Sequence, residues 1–121
     1  MRIDKILSNL REIQISIEEI EEFYSSYFNS EDESIKKMAI RAIERKVEII
    51  DRNWTTLKKH SPDITSTHVI NFRRISTRMS SGYTAKPNTQ LILSVINTNL
   101  ADFNKEINQL IKDFQLKDDT I

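Results

Sequence analysis

Apolar side chains recur at steps of three and four along most of the chain, which is the pattern of amphipathic helices. The first series predicts a helix of about seven turns, from Ile3 to Tyr27. The second predicts a helix that ends near His60, where Ser61-Pro62 follows as a breaker. Its apolar stripe is predicted to comprise Ile35, Met38, Ala39, Ala42, Ile43, Val47, Ile50, Trp54 and Leu57.

Two further helices are predicted in the second half of the chain. A shorter one begins near Thr65 or Ser66 and runs to about Ser80, where Ser81-Gly82-Tyr83 ends it. A long one carries apolar residues from Ile92 to Phe114, and residues 115–121 are expected to fray.

Local signals and composition favour the same helical architecture. Ser30 and Glu33 have the spacing of a reciprocal capping box at the start of the second helix. One glycine and two prolines in 121 residues leave few turns for a sheet-rich fold. We therefore predict an all-α fold, a four-helix up-and-down bundle of three long helices and a shorter third one, as a single domain over residues 1–121.

The net charge is zero, but the two signs are segregated along the sequence. Residues 1–34 hold 3 Lys or Arg against 9 Asp or Glu, whereas residues 35–60 hold 8 against 3. Two interpretations are open: the acidic first helix packs beside the basic second one, or the basic face binds phosphate or RNA.

The sequence offers little conventional catalytic or metal chemistry. There is no cysteine, the two histidines do not have metal-site spacing, and a glycine-rich phosphate loop is missing. We expect no metal and no cofactor. Because no apolar run approaches the ~20 residues of a membrane span, we expect no membrane partner and a cytoplasmic location.

Two basic stretches are the candidate binding sites. Arg45 and Arg52 share one face of the second helix with Arg41, and Lys37 and Lys59 extend it. The alternative for this face is intrahelical ion pairing with Glu48 and Asp51. In the second stretch, RRISTRMSSGY, the candidates are Arg74, Arg78, Ser81 and Tyr83, and the alternative is a polar helix end.

Two segments resemble the HEPN superfamily, specifically the small helical domain encoded beside minimal nucleotidyltransferases. Residues 35–64 are similar to its second helix, where its "ERxxxxIG" run corresponds to Glu44-Arg45 through Ile49-Ile50. Residues 80–111 are similar to its motif turn and final helix. Together with the long first helix, the resemblance spans nearly the whole chain. In that family the motif RxxxxHxY forms a metal-independent ribonuclease site near a dimer interface.

Aligned on Tyr83, the motif places Ser81 at the histidine position and Ser76 at the arginine position. Serine neither titrates near neutral pH nor supplies a guanidinium charge to phosphate. The resemblance therefore implies a catalytically degenerate, homodimeric binding module. Its implied partners are RNA, a nucleotide or a minimal nucleotidyltransferase.

Two other functions stay open. One is an active toxin-type endoribonuclease with a shifted site, in which His68 joins Tyr83 and either Arg74 or Arg78. Helix geometry opposes it within one chain, because His68 lies about 120° around the helix from Arg74. The other is an unrelated helical interaction protein of a phage or mobile element, which buries an apolar stripe against a partner.

Overall fold

The chain forms four helices and no strand over the part that the computed structural model describes, which is the backbone of residues 2–80 and 88–119 and the side chains of residues 2–75 and 88–118. The all-α prediction is confirmed. The helices are α1 (Arg2–Asn29), α2 (Glu33–His60), α3 (Val69–Ser80) and α4 (Thr89–Asp119). α4 is helical through Asp119, into the segment that was expected to fray.

Consecutive helices pack antiparallel, and α4 returns beside α1. The Arg2 side chain at the start of α1 donates to the His60 carbonyl at the end of α2. Gln14 of α1 donates a hydrogen bond to Asn108 of α4, which joins the first helix to the last. These contacts give the up-and-down order of a four-helix bundle.

One apolar core runs through the bundle and takes side chains from all four helices. Phe72 of α3 stacks on Phe103 of α4 with ring centroids 4.9 Å apart, and both rings are fully buried. Within the described part of the chain, no helix is long and apolar enough to cross a membrane.

The predicted stripe on α2 is wrong at its first two positions. Ile35 is 45% exposed and Met38 is 71% exposed, whereas Ile40 is buried. The cause is helical phase, because Met38 lies about 140° around α2 from the fully buried Ile43.

The cap of α2 also differs from the prediction. The N-cap residue is Asp32, whose side chain accepts a hydrogen bond from the Ser34 amide at 2.8 Å. Ser30 instead accepts from the Asp32 amide at 3.1 Å, so the reciprocal box with Glu33 does not form. An aspartate cap brings a full negative charge to the positive end of the helix.

The third helix begins later than predicted, at Val69. Ser66 Oγ accepts hydrogen bonds from the backbone amides of His68 and Val69. Because a side chain already satisfies these two amides, the backbone before Val69 does not need a helical turn to bond them. The preceding connection is held by Lys58, whose ammonium donates to the carbonyls of Pro62 and Ile64 at 2.8 and 2.9 Å.

Candidate nucleic-acid interface

The solvent side of α2 carries a row of cations, which we call the basic strip. All five of its members are exposed: Lys37, Arg41, Arg45, Arg52 and Lys59. They lie at steps of four and seven, which keep them on one face of the helix, and the strip is about 33 Å long. Glu48, which is also exposed, is the acidic residue that shares this face.

The members of the basic strip stay exposed beside the acidic residues of α2. Arg41 lies 3.8 Å from Glu44, and its side chain remains 61% exposed. Among the described side chains, no salt bridge joins Arg45 or Arg52 to Glu48 or Asp51. The intrahelical salt bridge seen on this helix joins Arg41 to Glu44, which was not one of the acidic partners expected from the sequence.

The acidic first helix does pack beside the basic second helix, as one of the two interpretations proposed. Their ion pair joins Lys46 Nζ to Glu19 Oε2 at 2.9 Å. Lys46 faces α1, however, and lies roughly 100° around α2 from Arg45. Because the strip points elsewhere, the packing of α1 leaves its charges exposed to solvent.

Arg73 and Arg74 extend the basic surface onto α3. Arg73 Nε donates to Asp51 Oδ1 of α2 at 2.7 Å, so this arginine joins the two helices. Arg74, the next residue, is exposed. Arg45 and Arg52 thus lie on α2 and Arg74 lies on the neighbouring α3. Arg73 joins these two helices through Asp51, a contact that the sequence did not indicate.

The remaining candidates fall in the part of the chain that the structure does not describe. Ser81 and Tyr83 lie outside the described residues, and the side chains of Ser76 and Arg78 lie outside the described side chains. The arrangement around RxxxxHxY therefore stays a prediction.

Glu44, within the run that resembles the family motif, is a core-facing carboxylate. The residue is only 8% exposed, because it follows Ile40 by four residues and precedes Val47 by three on the buried face of α2. Burial raises the pKa of Glu44; the Arg41 charge opposes this rise and the Glu48 charge adds to it. Glu44 stands among apolar residues at helical spacing in the sequence, and this pattern could have indicated that its carboxylate is buried.

His68 belongs to a polar network between α4 and the start of α3. Its Nδ1 lies 3.2 Å from Asn99 Oδ1, which also accepts from the Asn71 amide group at 2.9 Å. Arg74 is exposed to solvent and takes no part in these hydrogen bonds. A shifted ribonuclease site that combines His68 with Arg74 gains no support from this placement.

Glu106 of α4 caps the start of α3 across the bundle. Its carboxylate accepts from Ser66 Oγ at 2.7 Å and from the amides of Thr67 and His68 at 2.8 and 3.1 Å. Partial burial acts to raise the pKa of Glu106, but these hydrogen bonds and the charge of His68 outweigh it and lower the pKa. The ionised carboxylate is thus the form that stabilises the fold.

Replacing Glu106 with glutamine is expected to reduce the free energy of unfolding by about 0.5–2 kcal/mol at neutral pH, the usual range for loss of a cap. A lowered folded-state pKa stabilises the protein above the unfolded-state value of about 4.3, and that stability is lost as pH falls further. Urea unfolding at several pH values measures the difference, which should shrink in acid. Glu48→Gln, at an exposed position, is the control, and equal effects of the two changes would contradict the capping role.

Comparison of the chain with models of protein families, with curated proteins and with solved structures finds no match. The HEPN resemblance accordingly stays a prediction, and the functional argument rests on the residues of this chain.

Proposed function

We propose that this bundle is a non-catalytic RNA-binding module that contacts the sugar–phosphate backbone through the basic strip and Arg74. The observation that carries the proposal is the strip itself, five exposed cations with one glutamate among them on a single helix face. Exposed cations attract phosphates and release condensed counterions when they bind.

The spacing of the strip fits a nucleic-acid strand better than a small anion. Arg45 and Arg52 are about 10 Å apart along the helix axis, and the full strip is about 33 Å long. A single nucleotide covers only part of such a row, whereas a strand of several nucleotides reaches its whole length. RNA is therefore the ligand proposed first, with a free nucleotide as the alternative.

The resemblance to the HEPN superfamily supports a binding role without cleavage. Its motif aligns Ser76 and Ser81 with the arginine and histidine that its ribonuclease chemistry needs. We propose as well the homodimer and the minimal nucleotidyltransferase partner that this resemblance implies.

Fluorescence anisotropy with a labelled single-stranded RNA of mixed sequence tests the proposal. We expect a dissociation constant of about 1–100 µM at physiological salt, the range of non-specific nucleic-acid binding. The logarithm of the association constant should fall with that of the salt concentration with a slope of about −3, because each contact on a single strand contributes about −0.7. Unlabelled mononucleotide should compete poorly.

The same samples run on a denaturing gel separate binding from cleavage. The proposal expects the RNA to remain intact after long incubation with the protein. Metal-independent cleavage that a Tyr83→Phe or Arg78→Ala change abolishes would favour the endoribonuclease alternative. Lack of binding at low salt would overturn the RNA-binding proposal itself.

A further inference from the structure

The basic strip forms the crest of the bundle on its α2 side. Arg52 follows the fully buried Ile43 by nine residues, which is about 180° around the helix, so its side chain points directly away from the core. Ion pairs join α2 to α1 on one flank and to α3 on the other. Because neighbouring helices pack about 8–10 Å apart, α2 presents one face to a ligand while its two flanks stay covered.

This face offers charge to a ligand, whereas the aromatic rings of the same helices belong to the core. Trp54 is the aromatic residue of α2 and is 3% exposed, and Phe72 is the aromatic residue of α3 and is fully buried. Proteins that bind single strands usually stack the bases on exposed aromatic side chains. A strand laid along the basic strip gains phosphate contacts, but its bases gain no stacking on these two helices.

Arg74 adds a contact point beside the strip. The ion pair between Arg73 and Asp51 places Arg74 level with the stretch of α2 between Arg45 and Arg52, one helix spacing of about 10 Å to the side. The Arg74 side chain is exposed. Cations on two neighbouring helices can reach two rows of phosphates at once, and a duplex presents two such rows side by side.

We infer that the ligand of the basic strip is double-stranded RNA, bound across its minor groove and at the phosphates that border that groove. The inference rests on the proposed RNA-binding function and names its substrate class. The minor groove of A-form RNA is wide and shallow, and proteins recognise it by shape and by contacts to phosphates and 2′-hydroxyl groups. A helix whose flanks are covered can lie on a shallow groove without entering it.

A DNA duplex fits the same surface less well. The major groove of B-form DNA is about 8.5 Å deep and admits a whole α-helix, but α1 and α3 keep α2 from entering it. The B-form minor groove is only about 6 Å wide. Contacts with B-form DNA are therefore limited to the phosphates at the edges of its grooves.

The charge density of a duplex sets the expected preference over a single strand. Each neutralised phosphate contributes about −0.9 to the logarithmic dependence of the association constant on salt for duplex DNA, and about −0.7 for a single strand. For about four contacts, this difference corresponds to about tenfold tighter duplex binding at about 50 mM salt. The straight strip adds to the preference, because a flexible strand loses conformational freedom when it is held along a row.

Fluorescence anisotropy with three labelled ligands of one sequence tests the inference. They are an RNA hairpin with a stem of about 20 bp, which exceeds the ~16 bp that double-stranded-RNA domains span, one unpaired RNA strand of that stem, and the corresponding DNA hairpin. At about 50 mM salt we expect the RNA hairpin to bind about tenfold more tightly than the unpaired strand. It should also bind several-fold more tightly than the DNA hairpin.

The change Arg74→Ala tests the contact beside the strip. It should weaken binding of the RNA hairpin several-fold and lower the preference for the hairpin over the unpaired strand, because the second row of phosphates loses its partner. Lys112→Ala is the matched control, since Lys112 is an exposed cation on α4. Its replacement should leave that preference unchanged.

The outcomes separate this inference from the proposed function. If none of the three ligands bound, the RNA-binding proposal would fail together with the inference. If the unpaired strand bound as tightly as the RNA hairpin, or the two hairpins bound equally, the inference alone would be overturned. Equal effects of Arg74→Ala on the hairpin and on the unpaired strand would likewise contradict the inference and leave RNA binding in place.

Discussion

The double variant Arg45→Glu, Arg52→Glu is expected to bind single-stranded RNA about 100-fold more weakly than the unaltered chain at low salt. Both arginines are exposed on the basic strip, so the change replaces two attractions to phosphate with two repulsions. The slope of the logarithm of the association constant against that of the salt concentration should become shallower, from about −3 to about −1.5. The reason is that two of about four phosphate contacts are lost. Anisotropy titrations at several salt concentrations measure both quantities.

The chain provides a matched control for that variant on α4. Lys105 and Lys112 are both exposed and, like Arg45 and Arg52, are seven residues apart on one helix. Lys105→Glu, Lys112→Glu changes the net charge by the same amount and should weaken binding only a few-fold through the overall field. If both double variants lost affinity equally, attraction would depend on net charge, and the basic strip would not be the site.

Replacing Phe103 with alanine is expected to lower the free energy of unfolding by about 3–5 kcal/mol, the range for deleting a buried phenyl ring. Phe103 is fully buried and stacks on Phe72, which joins α4 to the short α3. Because native domains are stable by only about 5–15 kcal/mol, this loss removes a large part of the total. Denaturant unfolding measures it.

The comparison variant for Phe103 is Phe103→Leu, which keeps most of the apolar volume and should cost much less. If the alanine variant lost less than about 1 kcal/mol, the contact between α3 and α4 would not depend on this ring. Such a result would contradict the core described here.

The helices themselves were predictable because their signal is local. Apolar steps of three and four mark the core face of each helix wherever the helix is long, and the end of α2 at His60 was predicted from the cations and breaker around it. Met38 shows the limit of this reasoning. An apolar residue at a plausible spacing was assigned to the core, although the phase of α2 set by Ile40 and Ile43 turns it to solvent.

Features that depend on distant partners were not predictable. Glu106, which caps the start of α3, follows Ser66 by 40 residues in the sequence. No local sequence pattern links these two residues. The Arg73–Asp51 ion pair likewise requires knowledge of which face of α3 meets α2. Spacing on one helix predicted that the cations of the basic strip share one face, and all five are exposed. Their role as a binding site stays a prediction. The ion pairs of the neighbouring residues Lys46 and Arg73 emerged only from the packed bundle.

The central claim is that RNA binds along the solvent side of α2, and an NMR titration of the ¹⁵N-labelled protein with single-stranded RNA tests it most directly. We predict that the backbone amides around Arg45, Arg52 and Lys59, with those near Arg74, shift progressively as RNA is added. Amides on the outer face of α4 around Lys105 and Lys112 should stay in place. Shifts centred on α4, or an unchanged spectrum at saturating RNA, would contradict the account.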